Sequence, residues 1–221
     1  MTLETNDLIR RLAMSADPIR RLPPPWLRTV QWLSIAAPAI AVTVLLMSPR
    51  SDLAEKLVEV RFLVEQAAAL ATAVAAAIAA FCLVIPGNSR KLALLPVPPL
   101  AVWLGSLGQG CLETWQRLGE DTWQFYPDWI CFPSIVMVGA VPAVTMAVML
   151  RRGTPMAPQL TVALGALAAA AIANFGLRLF HYQDASLMVL IWQFGSVALL
   201  TFLAGWNGKY ILRWPHVRTA G

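Results

Sequence analysis

Six long apolar runs dominate this chain, and a soluble fold of 221 residues has no room for them. They cover residues 29–47, 66–86, 92–111, 131–150, 159–180 and 185–207. Each is near the ~20 residues that a helix needs to cross a hydrocarbon core of ~30 Å. Backbone groups in lipid must be satisfied within the segment, so spans of this kind are helices. Only 13% of the residues are charged, against about 25% in a globular domain. The expected fold is all-α: a polytopic membrane protein with six transmembrane helices in one bundle, over residues 29–214. A cytoplasmic segment of residues 1–28 precedes it and a short cytoplasmic tail of residues 215–221 follows. No loop is long enough for a separate folded domain.

The net charge of +5 is explained by its distribution and does not point to nucleic acid. Arg10, Arg11, Arg20, Arg21 and Arg28 precede the first run; Arg90 and Lys91 lie between the second and third. Arg151 and Arg152 follow the fourth, and Lys209, Arg213 and Arg218 close the chain. The alternate loops hold Arg50, Lys56, Arg61, Arg117 and Arg178, together with most of the acids. Basic loops stay inside, so both termini are expected in the cytoplasm, with the first run as an uncleaved anchor and no cleavable signal peptide.

The leading segment divides in two. Residues 6–14 read as a short amphipathic helix, with Asn6 able to cap it and Leu8, Ile9 and Leu12 on one face at helical spacing. Asp17-Pro18 and Pro23-Pro24-Pro25 then end the helix, leaving residues 19–26 as a stiff basic connector. Such a connector suits an anionic lipid surface, but the apolar face asks for a protein or lipid partner, because so short a helix is unstable alone. Within the spans, Ala67, Ala71, Ala75 and Ala79, and Gly165 with Ala169, form stripes that let helices approach closely. Pro38, Pro96, Pro98, Pro99, Pro133 and Pro142 predict kinks or late helix starts. Trp26, Trp115, Trp123, Trp129, Trp206 and Trp214 mark span ends. No internal repeat of the transporter type stands out.

Few groups suit catalysis. Asn174 and Gln193 read as interhelical hydrogen-bond formers, and Arg178 as a snorkelling cation paired locally near His181 and Asp184. No phosphate loop, helical His-Glu zinc motif or serine elbow is present, so neither an enzyme nor a cofactor is expected. The informative side chains are thiols. Cys111 closes the third run and Cys131 opens the fourth, both at the outer boundary and joined by residues 112–130. Antiparallel neighbours can bring such ends within disulfide reach in an oxidising compartment. Three readings stay open: a permanent staple, a reversible redox- or metal-responsive pair, or two idle thiols. Cys82 reads as an apolar packer. Cys111, Cys131 and His181 match no compact zinc motif, so no resident metal is expected.

The segments TNDLIRRLA…DPIRRLPPPWLR, LPVPPLAVWLGSLGQGC, WICF, LRRG and LFHYQDASLMVLIWQFG occur in this order along essentially the whole chain. Together they resemble the NrsF family, negative regulators of sigma F, which are six-span anti-sigma factors of the bacterial inner membrane. The resemblance implies that the cytoplasmic side sequesters an extracytoplasmic-function sigma factor, with no direct contact to nucleic acid. It implies that the family's paired sensing cysteines correspond to Cys111 and Cys131, and its basic N-terminal motif to Arg10, Arg11, Arg20 and Arg21. Gln193 stands where histidine is common in the family, which argues against a metal role there. The expected partner surface is Leu8, Ile9, Arg10, Arg11, Leu12, Arg20 and Arg21. An oxidant or heavy metal reacting outside would release the sigma factor inside. Two other classes compete. A membrane thiol oxidoreductase would use the outer cysteines, but such relays usually have two pairs. A small transporter or structural bundle would not need the leading segment.

Overall fold

Proline placement sets where several helices begin. A proline in the first turn loses nothing, because the first amide groups of a helix have no intrahelical acceptor. In the computed structural model, which describes residues 2–15, 22–118, 131–153, 156–180 and 195–208, Pro25 opens the helix Pro25–Met47 and Pro158 the helix Pro158–Leu177. The elements in chain order are α1 (Thr2–Ser15), α2 (Pro25–Met47), α3 (Leu53–Lys56), α4 (Val60–Leu83), a 3-10 turn (Arg90–Leu94), α5 (Val97–Leu118), α6 (Cys131–Leu150), α7 (Pro158–Leu177) and α8 (Gly195–Trp206). Among the described residues every regular element is helical.

Four stretches are long and apolar enough to cross a membrane: Pro25–Met47, Val60–Leu83, Arg90–Gly110 and Pro158–Leu177. Met137–Leu150 and Val197–Trp206 are shorter apolar helical stretches. Helices α4 and α7 form the centre and are packed against each other. Each turns small residues inward: Ala69, Ala73, Ala76 and Ala80 on α4, and Gly165, Ala168, Ala169 and Ala173 on α7, are all buried. Small side chains let two helix axes draw close, and dispersion contacts between backbones then replace those with lipid. Helices α6 and α8 pack on α7, α5 packs on α4, and α2 rests against α6 and α4.

Close approach requires glycine at two points. A Cβ at Gly176 would collide with the branched Ile40 side chain of α2. One at Gly208 would sit 2.8 Å from the Gln159 Cα and the Pro158 carbonyl oxygen. Between α2 and α6, the fully buried Trp32 donates its indole N–H to the Pro142 carbonyl, 3.0 Å away. Pro142 lies inside α6, where it has no amide to offer Val138. Large apolar side chains such as Val42, Leu45, Leu46, Val144 and Phe202 remain exposed, the surface that lipid would cover.

Several expectations are corrected. Helix α1 starts at Thr2, so Asn6 lies inside it and does not cap it. The stretch ahead of Asn6 contains neither glycine nor proline to stop the helix. Pro25 and Trp26 belong to α2 and not to an extended connector. Of the expected alanine stripe, Ala67 and Ala71 are exposed, Ala75 is half-buried and Ala79 is buried, whereas Ala69, Ala73, Ala76 and Ala80 all turn inward. A four-residue spacing chooses a stripe but not the face that turns in. Helix α5 runs past Cys111 to Leu118, while the stretch apolar enough to span ends at Gly110, beside Cys111.

Candidate functional site

The N-terminal turns of α4 carry more charge than the apolar run suggested. Glu65 precedes Ala69 and Ala73 on the same face, so the packing that buries the alanines buries the carboxylate too. Across the bundle, Arg178 caps the C-terminus of α7, where a cation is favoured by the exposed carbonyls and the helix dipole. The Arg178 Nη2 donates to Glu65 Oε2 at 2.6 Å. Glu65 is 2% exposed and Arg178 4%, so this pair is buried, charge-assisted and long-range in sequence. The Arg178 guanidinium also lies 5.6 Å from the centre of the Phe62 ring, close enough for a cation–π contact. Beside it, Gln66 Nε2 donates to the Phe175 carbonyl at 3.1 Å, a second polar tie between α4 and α7.

Arg61 sits one turn earlier on α4 and has three carboxylates around it. Its Nη1 donates to Glu113 Oε2 on α5 at 2.9 Å. Its Nε lies 3.4 Å from Glu65 Oε1 and 3.9 Å from Glu59 Oε1. Glu65 Oε1 is buried without a hydrogen-bond partner. Lys56 pairs with Glu59 at 2.9 Å. The cluster therefore runs from α5 through Arg61 to the central Glu65–Arg178 pair. Arg50 closes the same end: it grips Asp52 through two bonds of 2.6 Å, and its amide donates to the Leu179 carbonyl at 3.1 Å.

The hydrogen bonds from Arg50 hold the Asp52 carboxyl below the usual carboxylate range, while burial acts in the opposite sense. A depressed carboxylate stabilises the fold above its unfolded pKa and loses that contribution as pH falls through the folded value. Thermal unfolding in detergent should therefore show the Asp52 contribution intact at neutral and mildly acidic pH. It should be lost only below the ordinary carboxylate range of ~3.9, and Asp52→Asn should flatten that acid limb.

The opposite end is organised by Arg28, which is 2% exposed. Its Nη2 donates to the Met149 carbonyl at 2.5 Å, satisfying one of the last carbonyls of α6, which have no intrahelical donor. Its guanidinium stacks 4.4 Å from the centre of the Phe81 ring of α4. A Cβ at Gly153, just past the end of α6, would collide with Val84 at the end of α4. The first turn of α2, where the leading segment joins, is thus locked to α4 and α6.

On α1, Leu8, Ile9 and Leu12 are 57%, 58% and 61% exposed. Arg11 pairs with Asp7 at 3.0 Å along the helix, and Arg10 is exposed. Cys111 lies within α5, and Cys131 is the first residue of α6; their side chains lie outside the described residues. Arg20, Arg21, His181, Asp184 and Gln193 also lie outside them. Cys82 is half-buried near the end of α4, where its carbonyl accepts from Asn88 Nδ2 at 2.9 Å. Among the described residues, no His, Cys, Asp and Glu side chains are grouped to hold a metal ion. An apolar groove of about 720 Å³ between α7 and α8 has no ionisable side chain among its described lining residues.

Arg178 pairs with Glu65 across the bundle, while His181 and Asp184, the local neighbours expected for it, lie outside the described residues; Glu65, Arg178, Arg28 and Arg50 are all buried. Hydropathy smoothed Glu65 out because it adjoins the start of a long apolar run. The signal that could have found it is its position on the stripe of Ala69 and Ala73: an acid on the small-residue face points inward.

No curated protein and no solved structure matches this chain. Over residues 12–214, which take in all of α2 to α8, the chain matches the family model of the negative regulator of sigma F, and it belongs to that family, NrsF.

Proposed function

We propose that this chain is an anti-sigma factor of the bacterial inner membrane that holds an extracytoplasmic-function sigma factor and releases it when a thiol-reactive signal reaches Cys111 and Cys131 from outside. Family membership supports the negative regulation of a sigma factor. The observation that carries the partner-binding surface is the exposed apolar row Leu8, Ile9 and Leu12 on α1, flanked by Arg10 and Arg11. Residues 8–11 precede the matched region, so their role rests on this surface. Arg20 and Arg21, which lie between α1 and α2 in the sequence, add positive charge for acidic groups on the sigma factor.

Sidedness rests on charge. The basic loops flank the Arg28 end and the acids flank the Glu65 end, which supports cytoplasmic termini and an outer Glu65 end. The helices carrying Met137–Leu150 and Val197–Trp206 complete six spans when their flanking apolar residues are counted. Outside, two chemistries fit a thiol pair. Thiol–disulfide exchange with an external disulfide forms a Cys111–Cys131 bond and releases two external thiols. A soft divalent metal ion instead displaces the two thiol protons. Either links α5 to α6 across residues 112–130.

The test uses the full chain purified in detergent with its sigma factor bound. Adding a soluble disulfide should release the sigma factor from the native protein and not from Cys111→Ser or Cys131→Ser. Retention by the native protein, or equal release from the serine variants, overturns the sensing role. An impermeant maleimide that labels neither cysteine in intact cells, but labels both after lysis, overturns the sidedness.

A further inference from the structure

The cluster at the Glu65 end has two features that simple glue does not need. Arg61 is shared: it is hydrogen-bonded to Glu113 on α5 and lies 3.4 Å from Glu65 on its own helix. Glu65 Oε1, the oxygen facing it, is buried and accepts no hydrogen bond. A buried carboxylate oxygen with an open acceptor position is costly unless a donor can reach it. Here the donor is one short side-chain movement away and is held off by a carboxylate of another helix. That other helix, α5, is the one that carries Cys111.

We propose that Arg61 is a positioning residue that divides its guanidinium between Glu113 and Glu65, and that its transfer to Glu65 couples movement of α5 to the central α4–α7 pair. With α5 seated, Glu113 holds Arg61 and Arg178 has Glu65 largely to itself. When the outer part of α5 shifts, Glu113 leaves, Arg61 turns onto Glu65 Oε1, and two guanidiniums compete for one carboxylate. The hold of Glu65 on Arg178 weakens, and the end of α7 loosens. Packed helices with two discrete arrangements are the kind of element that carries a signal through a core. This rests on the sensing role of Cys111 proposed above.

The test compares Glu113→Gln, Arg61→Gln and the double variant in cells carrying a reporter for the sigma factor, with a soluble impermeant disulfide as inducer. Glu113 is exposed, so its substitution leaves folding intact, and an immunoblot of membranes checks this. Glu113→Gln should lower the half-inducing disulfide concentration at least threefold, a shift within reach of an exposed ion pair. Adding it to Arg61→Gln should cause no further change, because one contact carries both effects. An unchanged or raised concentration, or additive effects, overturns the proposal. Hydrogen exchange on the purified full chain gives a readout independent of sensing. Glu113→Gln should reduce amide protection at least threefold in the last turn of α7, on a different helix from the substitution. If protection changes only along α5, the coupling is wrong even where the sensing role stands. If native cells ignore the disulfide while α7 responds as described, the sensing role is wrong and the coupling stands.

Discussion

Deleting residues 1–17 should raise transcription from the sigma factor's promoters at least tenfold without the inducing signal. Leu8, Ile9 and Leu12 together leave more than half of their surface open. Full burial of an aliphatic side chain is worth about 1.5–3 kcal/mol. Burying what is still exposed on these three therefore yields roughly 3–5 kcal/mol before ordering costs. Each 1.4 kcal/mol is tenfold in affinity, so even half of this surplus exceeds a tenfold loss. The deletion spares Arg20, Arg21 and Arg28, which keep the basic flank that orients the first span, and it spares the Arg28–Met149 lock. Protein level and protease accessibility in membrane vesicles should thus match the native chain. Replacing Leu8, Ile9 and Leu12 together by alanine should reproduce most of the effect. Reporter activity in these strains is the measurement, and unchanged activity with normal protein level would remove α1 from the partner surface.

Glu65→Ala should lower the stability of the bundle by about 3–5 kcal/mol, because it leaves the Arg178 guanidinium buried without its carboxylate. That is a large share of the 5–15 kcal/mol that a domain typically has, so the variant should also accumulate poorly in membranes. The double replacement Glu65→Leu with Arg178→Met should recover most of the loss. Desolvating both ions costs about as much as their attraction returns, so an apolar pair of similar volume is an adequate substitute. Denaturation in mixed micelles, followed by the near-ultraviolet signal of the buried Trp32 and Trp103, measures both. Equal losses in the single and double variants would show that the ion pair is not the unit of stability at this end. A double variant that folds but no longer regulates separates the switching role of the pair from its structural one.

Much of the helical layout is readable from composition and periodicity. The spans at α2, α4, α5 and α7 follow from apolar run length, and the late start of α5 follows from Pro96, Pro98 and Pro99. Helix ends are less legible. Residues 60–65 read as a loop because they contain Arg61 and Glu65, yet a charged residue is tolerated in a helix when a partner on a neighbouring helix meets it. That partner, Arg178, lies 113 positions away in sequence, and no local rule links them. The same reasoning explains the alanine stripes: spacing shows that α4 has a small face, whereas packing against α7 decides that Ala69 and Ala73 turn inward and Ala67 and Ala71 outward. Arg28 looked like one cation of a basic flank, and its burial against Phe81 and Met149 depends on where α4 and α6 end.

By itself the sequence determined that the chain is a set of lipid-compatible helices with one basic and one acidic side, because run length and loop charge are local properties that need no knowledge of neighbours. It also carried the family, through short motifs in a fixed order. Tertiary structure alone decided which charges are buried and what each one meets. Glu65, Arg61, Arg178 and Glu113 come from three helices far apart in sequence, and their joint environment exists only once α4, α5 and α7 have packed.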